Sequence, residues 1–106
     1  MQCANNINEN KLIYFTENSY FNISKKTLIK NGELVKLNVK ELAFIELLTT
    51  HRSSVVSYEE IENAIWFETA MSENALRTLA KRIRQKLPED CLENVSKYGF
   101  KLKCLS

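Results

Sequence analysis

The chain has 106 residues, room for one domain with one core and not for two. Hydrophobic residues make up 44% and charged residues 26%, ordinary for a globular protein, and two glycines and one proline exclude a linker-rich or disordered chain. The formal charge of +2 is unevenly spread: residues 1–71 carry 7 Lys/Arg against 9 Asp/Glu (−2), whereas residues 72–106 carry 8 against 4 (+4). A basic C-terminal third on a mildly acidic scaffold favours an acidic partner at that end.

Met1–Asn10 is polar and Asn-rich and reads as a frayed terminus or the tail of a linker, leaving residues 11–106 as the domain. Lys11–Phe15, Tyr20–Ile23, Thr27–Lys30 and Glu33–Leu37 are short runs rich in aliphatic and aromatic residues. The polar segments TENS, SKK and NG separate them. Asn-Gly between two strand-like runs is a strong hairpin signal. An antiparallel meander of four short strands is expected, with one apolar face in need of cover.

Asn38–Arg52 supplies that cover. Asn38 is placed to cap a helix, with Glu41 three residues on as in a capping box. Leu42, Ile45 and the pairs Ala43/Phe44 and Leu47/Leu48 make this the buried central helix. Ser57-Tyr58-Glu59-Glu60 is a second capping box, opening a short helix over Tyr58–Trp66. Trp66 follows Ile65 on its amphipathic face and is assigned to the core. Phe67–Met71 connects to a third helix.

That third helix, Ser72–Leu87, organises the rest. Ser72 is a good N-cap, Glu73 suits the positive end of the dipole, and Pro88 blocks continuation. Leu76, Leu79, Ala80, Ile83 and Leu87 share one face. Asn74, Arg77, Thr78, Lys81, Arg84 and Gln85 cover the opposite side, with Arg82 and Lys86 further round. Five cations against one acid repel one another unless a polyanion neutralises them. Arg and Lys meet phosphates and guanine edges, Asn and Gln read adenine, and Thr can touch a thymine methyl. Arg84 and Lys86 also complement the C-terminal end of the dipole.

Glu89–Glu93 reads as an acidic loop. Val95 leads to a turn at Lys97-Tyr98-Gly99 and then to Phe100–Cys104, where Phe100, Leu102 and Cys104 alternate with Lys101 and Lys103. This predicts a hairpin over 94–104 with a basic outer face. The expected fold class is α+β: a winged helix-turn-helix with an N-terminal four-stranded antiparallel sheet, three helices and a C-terminal β-hairpin wing. In such a fold the second helix of the pair enters the major groove. A tip carrying Lys97 and Tyr98 can reach adjacent phosphates or the minor groove, although Tyr98 at a turn equally suits solvent.

Four stretches then resemble one family, the OmpR/PhoB-type winged-helix effector domains of bacterial two-component response regulators. Gly32–Leu42 (GELVKLNVKEL) resembles its G-x-x-V-x-L-T-x-x-E-[LF]. Val55–Ile61 (VVSYEEI), followed by Trp66, resembles V-V-S-R-E-x-L and its tryptophan. Leu79–Leu87 (LAKRIRQKL) resembles H-I-x-R-L-R-x-K-L, and Val95 through Gly99-Phe100-Lys101-Leu102 resembles V-x-G-x-G-Y-x-[FL]. The resemblance spans residues 11–104. It implies sequence-specific binding of double-stranded promoter DNA, as a dimer or tandem copies on repeated half-sites. Carried over, the groove-facing residues are Asn74, Arg77, Thr78, Lys81, Arg82 and Arg84, and the wing contacts Ser96, Lys97 and Tyr98. RNA polymerase is a further partner the resemblance admits, through the connector loop, here the short Phe67–Met71. So is a receiver domain missing from this chain, and whether the chain is a fragment of a longer regulator stays open. Asn38 stands where the family favours Thr, Lys97 where it often has the first wing glycine, and Phe100 where it favours Tyr.

Other chemistries fit less well. Cys3, Cys91, Cys104 and His51 lack any C-x₂₋₄-C pair, so no metal is expected. A Cys91–His51 pair has no third group to orient the base, and there is no Gly-rich phosphate loop. No cofactor and no catalytic activity are expected. Three cysteines, odd in number and far apart, argue against a disulfide framework and fit a reducing cytoplasm. No apolar run approaches the ~20 residues of a membrane span, and no secretory signal pattern is present. The rival reading is a winged helix whose basic face docks an acidic protein. RNA binding is disfavoured, since no aromatic platform accompanies the cations.

Overall fold

The computed structural model describes residues 12–51, 54–66, 69–88 and 90–103. The expected frayed terminus Met1–Asn10, with Cys3, lies outside the described residues, as do Lys11, Phe67 and Cys104.

Four short strands form the N-terminal sheet in sequence order: β1 (Leu12–Thr16), β2 (Ser19–Asn22), β3 (Thr27–Lys30) and β4 (Glu33–Val35). All neighbours are antiparallel. Period-two alternation turns Ile13, Phe15, Phe21 and Leu28 inward, each no more than 4% exposed. The Asn31-Gly32 turn holds φ of +52° and +83°, the pair of positive values a type I′ hairpin requires. Ser19 Oγ accepts the Asn31 N–H at 2.9 Å, and the Gly32 N–H donates to the Asn18 carbonyl at 3.0 Å. Those bonds stitch the two turns at one end of the sheet together.

Helix α1 (Val39–Thr50) follows, and both halves of its capping box form. Asn38 Oδ1 accepts the Glu41 N–H at 2.8 Å, and Glu41 Oε1 accepts the Asn38 N–H at 2.9 Å. Phe44, Ile45 and Leu48 are buried to 1% exposure or less, and α1 packs against both later helices and the last strand. It is the central helix, as its composition predicts. Helix α2 (Tyr58–Ile65) starts at the Ser57 capping box and ends at Trp66, which is buried in the common core. Helix α3 (Glu73–Lys86) is capped by Ser72 Oγ, which accepts the Ala75 N–H at 3.1 Å. Its buried face is Leu76, Leu79, Ala80 and Ile83, with Leu87 closing the end.

The expected C-terminal hairpin forms, and the structure extends it. Besides β6 (Leu92–Val95) and β7 (Gly99–Leu102), the segment Val55–Ser57 is a strand, β5, and the order is β5-β7-β6. The wing is therefore one edge of a three-stranded sheet that reaches back to the start of α2. Three residues leading into a cap carry too little periodicity to show as a strand. Their partners, Gly99–Lys101, lie more than forty residues away in sequence. The wing also runs over 92–102 rather than 94–104. Leu92 pairs with Leu102, both are buried, and their burial draws Glu93 out of the expected acidic loop into β6.

Candidate nucleic-acid interface

The exposed side of α3 is built by default: four apolar residues commit one face to the core, and the polar residues opposite them point away. Asn74, Arg77, Thr78, Lys81, Arg82 and Arg84 are all exposed. So are Ser96, Lys97 and Tyr98 at the wing turn, Tyr98 at 69%.

These nine residues do not form one cluster. Arg77, Lys81 and Arg84 share a groove with Ser96 and Lys97. Asn74, Thr78 and Arg82 line a different hollow, facing Asn38, Lys40 and Trp66. Tyr98 lines neither groove nor hollow. The helix is thus a ridge with a slope on each side, the wing rising from one of them.

The wing is set against the helix by aromatic packing. Phe100 meets Phe44 edge-on at 5.7 Å and Tyr58 edge-on at 6.0 Å between centroids. The Arg84 guanidinium lies 6.0 Å from the Phe100 ring. Asn94 Nδ2 donates to the Tyr58 hydroxyl at 3.2 Å, tying β6 to α2. The Tyr58 N–H donates to the Tyr98 carbonyl at 3.0 Å and fixes the turn. Tyr58 and Asn94 escaped the sequence reading because their role is a contact between elements thirty-six residues apart.

Lys86, basic in sequence, serves the fold instead. It pairs with Glu41, whose side chain is 2% exposed, and also donates to the Lys36 carbonyl at 2.8 Å. Burial pushes the Glu41 carboxyl up. The Lys86 hydrogen bond, the Asn38 N–H and the charges of Lys86 and Arg82 outweigh that and leave it below its ordinary value. Lys30 Nζ donates to the Gln85 carbonyl at 2.9 Å, so a second lysine holds the carbonyl-rich end of α3.

The ion pairs among the described residues are Lys26–Glu46 and Lys86–Glu41. Arg77, Lys81, Arg82 and Arg84 pair with no described carboxylate. Four exposed cations are held on a rigid helix for something else to neutralise. Among the described residues no group of three or more His, Cys, Asp or Glu is placed to hold a metal. None of the described helices is long and apolar enough to cross a membrane.

Residues 32–102 match the family described as "Transcriptional regulatory protein, C terminal". The chain belongs to this family. Its fold is a winged helix, with the four-stranded sheet, three helices and C-terminal hairpin expected from the sequence. The response regulator protein GraR of Staphylococcus aureus is 28% identical over 87 residues, covering 81% of this chain and 39% of GraR. The chain thus spans well under half the length of that relative. The regulatory domain's fold is similar to the DNA-binding domain of CpxR from E. coli (TM-score 0.71, 17% identity, 87% of this chain and 95% of that one). It is also similar to the Klebsiella pneumoniae RstA DNA-binding domain, solved in complex with the RstA box (TM-score 0.70, 16% identity, 87% and 96% covered). The Thermotoga maritima response regulator DrrB gives a TM-score of 0.74 at 21% identity, covering 92% of this chain and 46% of that one.

Proposed function

We propose that residues 11–106 act as one unit that reads double-stranded promoter DNA, with α3 in the major groove and the β6–β7 hairpin on adjacent backbone or minor groove. The single observation that carries this is the row Arg77, Lys81, Arg82 and Arg84, exposed on one rigid helix without a described acid partner and flanked by the wing. Asn74, Thr78 and Lys81 project furthest from the core and meet base edges. Arg77, Arg84, Ser96, Lys97 and Tyr98 hold the wing-side backbone. The RstA DNA-binding domain, similar in fold, was solved in complex with its RstA box, which supports DNA as the partner.

GraR is a response regulator, which supports three further assignments: a receiver domain as a partner, paired or tandem copies on repeated half-sites, and a cytoplasmic setting. RNA polymerase contact belongs to the connector after α2. Its far end is anchored where the Met71 N–H donates to Glu62 Oε2 at 2.9 Å. The domain does its work by binding, and none of its steps needs a catalytic group.

Binding of duplex DNA across a salt series tests the reading. Five or six neutralised phosphates give log K against log salt a slope of about −5. Arg77→Ala/Lys81→Ala weakens binding by roughly 30-fold, about 2 kcal/mol, with the melting temperature unchanged. A flat salt response, or a double variant that binds as well as the parent, would move the basic face to an acidic protein partner.

The wing turn offers a second test. Lys97 holds φ of +68°, in the left-handed region where a side chain costs about 1 kcal/mol. Lys97→Gly relieves that cost, offset in part by glycine's entropy, and raises the melting temperature by about 3 °C. It also deletes a phosphate contact and reduces the salt slope by about 0.9. The expected result is a more stable domain that binds DNA less well.

A further inference from the structure

The slope of α3 that faces away from the wing opens on a hollow between Asn74, Thr78 and Arg82 on one wall and Asn38, Lys40 and Trp66 on the other. A second hollow, lined by Lys36, Glu41, Arg82 and Lys86, adjoins it. Asn38 and Arg82 line both, so the two form one continuous trough. Lys36, Lys40 and Arg82 are exposed along it. The Lys40 ammonium stands 4.6 Å from the centroid of the Trp66 ring, and that ring belongs to the buried core. The contact pre-orients a cation that would otherwise sweep solvent. The carboxylate that feels the Arg82 charge is Glu41, which is sealed at 2% exposure and already bound by Lys86 and the Asn38 N–H. Glu41 and Lys86 offset one another, and Lys36, Lys40 and Arg82 leave a net positive charge exposed along the trough.

We infer that Lys36, Lys40 and Arg82 form a second phosphate-binding shoulder, which grips the DNA backbone on the side of the major groove away from the wing. The inference rests on α3 entering that groove. A helix with its side chains is about 10–12 Å across and fills a groove about 12 Å wide, so a wall of phosphates stands on each side. The wing meets one wall. The trough meets the other, and its cations come from the loop before α1, the first turn of α1 and the flank of α3.

The test compares three proteins on two unrelated duplexes over a salt series: the parent chain, Lys36→Gln/Lys40→Gln and Arg77→Ala/Lys81→Ala. The shoulder variant is expected to lose about 1.8 from the magnitude of the slope, so that its deficit in affinity is largest at low salt and narrows about 10-fold over a fourfold rise in salt, equally on both duplexes. A shoulder variant with the same slope as a parent chain that binds would overturn the shoulder and leave the groove reading standing. A loss confined to one duplex would overturn the phosphate assignment, because backbone contacts carry no sequence. A parent chain that does not bind defeats the groove reading itself, and the shoulder with it. Should Lys40→Gln disturb the packing on Trp66, Lys36→Gln alone is the control. The Lys36 carbonyl that Lys86 uses is backbone and survives the change, and half the slope effect is then expected.

Discussion

Gly99→Ala lowers the melting temperature of the domain by about 20 °C, a loss of about 4 kcal/mol. The reason is distance rather than backbone conformation. A Cβ at Gly99 would stand 1.8 Å from the Val56 carbonyl oxygen, 2.7 Å from its carbonyl carbon and 2.9 Å from Ser57 Cα. All three are backbone atoms, so no side-chain rotation relieves the clash. The strands β5 and β7 must separate at the Ser57–Gly99 pair, and Val56 and Phe100, 1% and 4% exposed, lose their packing with them. The wing then loses its fixed position beside α3, and DNA affinity falls together with stability. Thermal melts followed by circular dichroism check the first effect. A variant within 5 °C of the parent would show that β7 can slide without cost.

Lys86→Met is expected to cost about 2–3 kcal/mol, a drop of about 15 °C, although it removes an exposed-looking lysine from a basic helix. Its partner Glu41 is 2% exposed and cannot recover water. The Asn38 N–H still reaches it, and the Lys86 side chain is 30% exposed, which keeps the cost below that of a fully buried pair. The sign of the pH dependence follows from the lowered Glu41 pKa. The pair's contribution is fully present above the ordinary carboxylate value of 4.5 and fades as pH falls through the lower folded value. In the variant, burial acts against only the Asn38 N–H and the Arg82 charge, so Glu41 takes up a proton at higher pH than in the parent and needs a cation less. The gap between parent and variant is therefore wide at pH 7 and narrow at pH 4. Melting both proteins at the two pH values decides the matter, and an equal gap at both would remove Glu41 from the account.

The two substitutions separate what supports the reading face from what reads. Lys86 and Lys30 fasten the C-terminal end of α3 to α1 and to β3, so the helix is positioned before DNA arrives. On the proposed reading, Arg77, Lys81 and Arg82 are left to meet it. A pre-set helix avoids ordering its own backbone on binding and spends less of its contact energy on doing so.

Local chemistry was enough for much of this protein. Asn31-Gly32 specified its turn because only residues tolerant of positive φ close a two-residue hairpin. Asn38–Glu41 and Ser57–Glu60 announced two helix starts, since each cap is a bond between residues three apart. The apolar stripe Leu76–Ile83 told which way α3 faces, and so which cations point outward. All of these depend on neighbours within one turn of chain, which periodicity can see. The tertiary structure alone decided that Val55–Ser57 joins the wing's sheet, that Lys86 belongs to Glu41 while Arg82 stays open, and that the six helix candidates part onto two slopes, with Ser96 and Lys97 of the wing beside only one of them. Each of these pairs residues forty or more positions apart, or depends on which flank of a helix another element comes to occupy. Helical spacing ranks side chains around an axis, but only the packed neighbours say what each one meets.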